Sequence, residues 1–166
     1  FDGAAYVRVR ASDSLAIDST LTVAAWIKPN DTAVDGTAGV VSQARPDGGT
    51  GYRLGVEEGR ANLGLNNGRS WNCSVRSRSM LDTGRWAHIA GTYDGETMRI
   101  YVNGELEGTS SCASGSLMRS SRPVYIGREF DILGGRPFDG IIDEARVYDV
   151  VLDDSAVRAL FAEGRG

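Results

Sequence analysis

Between Gln43 and Trp71 the chain gathers residue types that suit a sugar ligand. Gln43, Arg45, Asp47, Tyr52, Arg53, Asn66, Asn67, Arg69 and Trp71 fall within one stretch of short strands and turns. A sugar offers apolar C–H faces that pack on aromatic rings, and hydroxyls that need fixed donors and acceptors. Trp71 lies beside a turn and beside Cys73, and is expected to be the exposed aromatic among the three tryptophans. Gln43, Arg45, Tyr52, Arg53, Asn66 and Trp71 are therefore the candidate ligand contacts. The plainer reading of the same residues is that Trp71 covers a disulfide and the arginines are solvated. His88 is the only histidine and shares a strand face with Trp86 and Ala90. It is expected to be a packed residue bonded to a neighbouring strand, and no Ser/His/Asp set is readable around it. The loop Asn30–Gly36 is calcium-loop-like only on its surface: Ala33 stands at a ligand position and Ser42 where a bidentate glutamate is needed.

The elements that must carry these side chains are strands. Arg85–Gly104 reads as two strands joined at Asp94-Gly95, with a second turn at Asn103-Gly104. Such dipeptides suit two-residue hairpins, whose central positions need φ > 0. Met98, Ile100 and Val102 alternate with Thr97, Arg99 and Tyr101, the period of a half-buried strand. Further strands are expected over residues 5–10, 20–28, 39–43, 52–57, 61–66, 71–76, 105–109, 124–127 and 138–148. In the last of these, Ile141, Asp143, Ala145 and Val147 are expected on one face, and Ile142, Glu144, Arg146 and Tyr148 on the other. A single helix follows, capped by Asp153 or Asp154, with Val157, Leu160 and Phe161 on its apolar face and Gly164 as its stop. About eleven short strands with turns every 8–12 residues is the pattern of a sandwich or jelly roll.

The 166 residues suit one domain with a single core. A formal net charge of −4 disfavours nucleic acid, whose partners are basic. No apolar run approaches the roughly 18–20 residues of a membrane span. Phe1 already begins structured-looking sequence, as expected of a domain excised from a larger protein. The two cysteines, Cys73 and Cys112, lack C-x-x-C spacing, and one histidine is too few for a zinc site. A disulfide between neighbouring strands is the preferred reading, which implies a secreted or surface location; two buried free thiols are the alternative.

The wording of several segments is more specific than their periodicity. Phe1-Asp2-Gly3 with Tyr6-Val7, Leu21–Pro29, Trp86-x-His88-Ile89-Ala90 through Thr92-Tyr93-Asp94-Gly95, Ile100–Gly104, Ile126-Gly127 and Phe138–Tyr148 occur in this order. Together they resemble the LamG-like jelly-roll domains of the concanavalin A-like lectin/glucanase superfamily. The resemblance implies an all-β fold: a two-sheet antiparallel jelly-roll sandwich with a short C-terminal helix. It places Trp26 and Trp86 at packed positions. It implies a non-catalytic carbohydrate-binding accessory module of a secreted or surface protein, with a glycan or polysaccharide and the neighbouring domains of the parent protein as partners. An adhesion or packing domain is the alternative. Related glucanases carry acidic residues at the first, third and fifth positions of one strand. Glu129 and Asp131 match the first two, but Leu133 stands at the third, so glycosidase chemistry is not expected. The resemblance also implies a structural calcium ion tying the first strand to the last, with Asp143 and Asp2 as the metal ligands.

Overall fold

The computed structural model describes residues 1–33, 36–43, 51–66, 73–117, 120, 122–129 and 136–164. The strands are β1 (Val7–Val9), β2 (Leu21–Pro29), β3 (Thr37–Gln43), β4 (Gly51–Glu57), β5 (Arg60–Asn66) and β6 (Cys73–Arg76). They continue with β7 (Ala87–Tyr93), β8 (Met98–Val102), β9 (Glu105–Ser110), β10 (Val124–Ile126), β11 (Arg136–Pro137) and β12 (Gly140–Tyr148), and one helix, α1 (Asp154–Glu163), closes the chain. The larger sheet has the order β1-β10-β3-β4-β5-β6, with β11 beside β3; the smaller is β12-β2-β7-β8-β9. All neighbours are antiparallel except β11 against β3. This is the two-sheet sandwich expected from the strand pattern.

Alternation decides what each strand gives to the core. In the larger sheet Tyr52, Leu54 and Val56 of β4 join Ala61, Leu63 and Leu65 of β5 and Cys73 and Val75 of β6. From the smaller sheet come Leu21, Val23, Ala25 and Ile27 of β2, Ile89 of β7, and Met98, Ile100 and Val102 of β8. Gly91 allows the sheets to close: a Cβ there would press on the side chain of Leu63. The helix covers the opposite face of the smaller sheet. Val157 is buried with Ala24, Ala90 and Tyr101, and Leu106, Leu152 and Leu160 pack around them. Asp153 caps the helix by accepting a hydrogen bond from Ala156 N at 2.9 Å, and the Tyr101 hydroxyl donates to Asp154 at 2.9 Å.

The cysteines are bonded, Cys73 to Cys112, with Cα atoms 5.5 Å apart. Cys73 begins β6, an edge of the larger sheet, and Cys112 follows β9, an edge of the smaller, so the bond fastens the two sheets together along one side.

Three local expectations change. The Asp94 turn is longer than two residues: β7 ends at Tyr93 and β8 begins at Met98, and Asp94 Oδ1 accepts from Glu96 N and Thr97 N at 3.0 and 2.7 Å. The Asp94 side chain thus organises a wider loop, whereas Asn103 and Gly104, with φ of 51° and 81°, do form the tight turn. In β12 the register shifts between Asp143 and Arg146, and Glu144 has φ 49°. The bulge breaks strict alternation, so Ile142 and Val147 both pack toward the core, although they are five residues apart. Trp86, expected to be packed, is 45 % exposed and lies just before β7.

Candidate functional site

The concavity with an exposed indole lies on the outer face of the smaller sheet, at the C-terminal end of α1. Trp26, Trp86, Asn103, Asp143, Glu144, Phe161, Glu163 and Gly164 line a cleft of 540 Å³. Its parts come from four elements. Trp26 of β2 faces outward, opposite His88 of β7 on one side and Asp143 of β12 on the other. Phe161 of α1 stacks on the Trp26 ring, with centroids 5.5 Å apart and planes 24° from parallel. Gly164 lets the chain leave the helix across Trp26, since a Cβ there would overlap the indole nitrogen. The β12 bulge brings Asp143 and Glu144 together at the opening.

The polar groups are unevenly engaged. Arg146 spans Glu144 at 2.6 Å and Glu163 at 3.0 Å. These two contacts hold the guanidinium strongly protonated. Asp143 accepts from the backbone N–H of Glu144 at 2.8 Å. Trp26 is 9 % exposed and its Nε1 has no hydrogen-bond partner among the described residues. Such a buried donor costs free energy until something accepts from it. A half-exposed indole, several carboxylates and an amide around one cleft can hold a polar ligand that carries an apolar face.

His88 supports this wall from behind. It is 3 % exposed, and its ring lies 5.5 Å from Trp26 and 6.2 Å from Phe161. Burial, and secondarily the Arg146 charge, push its pKa down from 6.5 to about 4. Between those values the unfolded chain takes up a proton that the folded chain refuses. Stability is therefore flat above about pH 6.5 and falls as the pH drops toward 4, by roughly 3 kcal/mol from this group. Urea midpoints taken across that window should fall more steeply for the native chain than for His88→Gln; parallel slopes would show that His88 is not responsible.

The residues singled out in the sequence are not assembled into one exposed surface. Gln43 and Tyr52 are each 1 % exposed and lie in one cross-strand row with Leu65 and Cys73, facing the core. Gln43 donates from Nε2 to the carbonyls of Leu15 and Arg122. Arg53 and Asn66 lie on the opposite face of the larger sheet. Asn66 is fully buried, and Arg53 bonds Glu129 at 2.7 Å. Arg45 and Trp71 lie outside the described residues, as do Asp131 and Leu133. The residue that sequence reasoning overlooked is Trp86; its place ahead of β7, next to Arg85 and Gly84, was the available signal.

Asp2 and Asp143, the calcium pair implied by the resemblance, stand apart. Asp2 bridges Asp139, whereas Asp143 lies four residues further along, roughly 13 Å at strand spacing. Asp2 Oδ1 already accepts from Ala5 N and Ala4 N, and these bonds lower its pKa. One calcium ion needs its oxygens within about 2.6 Å, so the two carboxylates do not fit a shared ion. Among the described residues no group of three or more His, Cys, Asp or Glu side chains could hold a metal. The N-terminal residue, ahead of β1, is joined to the start of β12 by backbone bonds, Phe1 N to Gly140 O at 2.8 Å and Gly140 N to Phe1 O at 3.0 Å.

Among the described residues no helix is long and apolar enough to cross a membrane. Comparison with solved structures finds the same architecture at low sequence identity. Domain 4 of AbnA, a GH43 extracellular arabinanase from Geobacillus stearothermophilus, solved in complex with arabinotriose, superposes with a TM-score of 0.75 at 22% identity, covering 96% of this chain and 74% of that one. The native heptameric SAP-like pentraxin of Limulus polyphemus gives 0.65 at 22% identity, covering 94% of this chain and 81% of that one. The ligand-binding domain of botulinum neurotoxin serotype D, solved with N-acetylneuraminic acid, gives 0.71 at 16% identity, covering 99% of this chain and 41% of that one. No curated protein matches the sequence. A family model described as the concanavalin A-like lectin/glucanases superfamily matches residues 1–158, and the chain belongs to that superfamily.

Proposed function

We propose that this chain is a non-catalytic carbohydrate-binding module, one domain of a larger secreted or surface protein, and that its glycan occupies the Trp86 cleft. The carrying observation is the indole of Trp86, 45 % exposed beside Asp143, Glu144, Glu163 and Asn103. Stacking on that ring would position a sugar whose hydroxyls bond the carboxylates. Two of the structural neighbours were solved with arabinotriose and N-acetylneuraminic acid, which supports a glycan as the ligand class. The disulfide supports an oxidising location. The absence of catalysis is supported by Glu129, whose carboxylate is held in a buried ion pair with Arg53.

The test is titration calorimetry against arabinan, sialylated and β-linked glucan oligosaccharides. Trp86→Ala should weaken the best ligand by at least about tenfold. If Trp71→Ala abolishes binding and Trp86→Ala does not, the ligand lies instead on the segments that carry Arg45 and Trp71. Failure of every glycan to bind would favour an adhesion or packing domain.

Calcium is the part of the sequence reading that the geometry supports least, because Asp2 and Asp143 do not converge. The melting temperature is expected to be unmoved by EDTA and by millimolar calcium; a rise on calcium addition would restore the structural ion.

A further inference from the structure

The charges around the cleft favour one class of sugar. Among the described residues three carboxylates line it, those of Asp143, Glu144 and Glu163, and the guanidinium of Arg146 bridges the two glutamates. Asp143 is exposed and forms no ion pair among the described residues. The adjoining wall is the Trp26 indole, 9 % exposed, whose Nε1 is buried beneath Gly164 with no hydrogen-bond partner among the described residues. Trp86 supplies a flat apolar platform whose ring face also attracts cations. A neutral sugar would use the platform but leave the Asp143 carboxylate without a charged partner among the described residues. A protonated amine on the ring would meet Asp143 while the sugar's C–H face lies on Trp86. The volume of 540 Å³ is within the range for small-ligand sites.

Resting on the proposed glycan-binding role of this cleft, we infer that its preferred ligand is a cationic amino sugar, a hexosamine with a free protonated amine within an oligosaccharide. The ammonium pairs with Asp143, Trp86 stacks on the ring, and hydroxyls reach the outer oxygens of Glu144 and Glu163.

The experiment compares four probes by titration calorimetry in mildly acidic, low-salt buffer: a β-1,4-linked glucosamine tetrasaccharide, its N-acetylated counterpart, cellotetraose and a lysine pentapeptide. The glucosamine tetramer should bind about tenfold more tightly than the two neutral sugars. Asp143→Asn, which keeps the oxygen that accepts from Glu144 N, should erase that preference without lowering the melting temperature. Trp86→Ala should weaken all three sugars together. Equal affinity for the three sugars, or an unchanged preference in Asp143→Asn, overturns the amino-sugar inference and leaves the glycan reading standing. If no sugar binds, both fall. If the lysine peptide outbinds the glucosamine tetramer, the inference is overturned in favour of a basic protein partner.

Discussion

Reducing the Cys73–Cys112 bond is expected to lower the stability of this domain by about 3–4 kcal/mol. The bond closes a loop across a sequence separation of 39, and the chain-entropy treatment of a loop that size gives this figure. The location adds to the expectation. Strands β6 and β9 are the edges of their sheets and pack beside each other, so loss of the bond frees both edges at once. Cys73 is itself a core residue, 7 % exposed among Met98 and its neighbours, and a smaller side chain there would leave a gap. In a domain of this length a loss of that size lowers the melting temperature by about 10 °C. Thermal melts followed by circular dichroism, with and without reductant, read this directly. A midpoint that stays within a degree or two would mean that packing alone holds the sheets together.

Glu129→Ala is expected to cost about 3–5 kcal/mol, the usual loss when one member of a buried ion pair is removed. The Glu129 and Arg53 side chains are 3% and 13% exposed, and their charged atoms lie 2.7 Å apart. Solvent therefore screens this pair far less than it screens the surface pair of Arg85 with Asp82. The backbone of residues 128 and 129 crosses directly over Gly39, where any Cβ would collide with it. Once the carboxylate is gone, the largely buried guanidinium loses that counter-charge. The double variant Arg53→Met with Glu129→Leu should recover most of the loss, because two apolar groups need no pairing. Urea denaturation of the four members of the cycle separates the pairwise part from the rest. A Glu129→Ala midpoint close to that of the native chain would show that the pair is effectively solvated.

The architecture is largely legible in the sequence, because strand alternation and turn chemistry are local. Met98, Ile100 and Val102 were expected on one face and are all buried in the core. The ligand surface was less legible, since it depends on which side of each strand finds cover. Tyr52 and Arg53 are adjacent in sequence and have similar promise as sugar contacts. The pleat sends Tyr52 into the core and Arg53 to the other face. Trp26 and Trp86 both fit packed positions of the family pattern. Trp26 receives Phe161 from a helix that follows it by more than a hundred residues. A contact of that range leaves no trace in the local pattern. The same is true of the β12 bulge, whose sequence from Asp143 to Arg146 reads as ordinary alternation.

That bulge makes the strand unusually discriminating about its own length. Asp143 pairs with Trp26 and Arg146 with Ala24, so two residues, Glu144 and Ala145, share the place opposite Ala25. Ala25 faces the core. Removing Glu144 would leave Ala145 there, a small apolar side chain that the interior accepts. Removing Ala145 would deliver the glutamate to the same place, an unpaired charge in an apolar layer. The first shortened chain should fold with a straighter strand and a cleft one carboxylate poorer. The second should express poorly or melt far lower. Two neighbouring single-residue deletions would thus have opposite fates, decided by which residue inherits an inward-facing position.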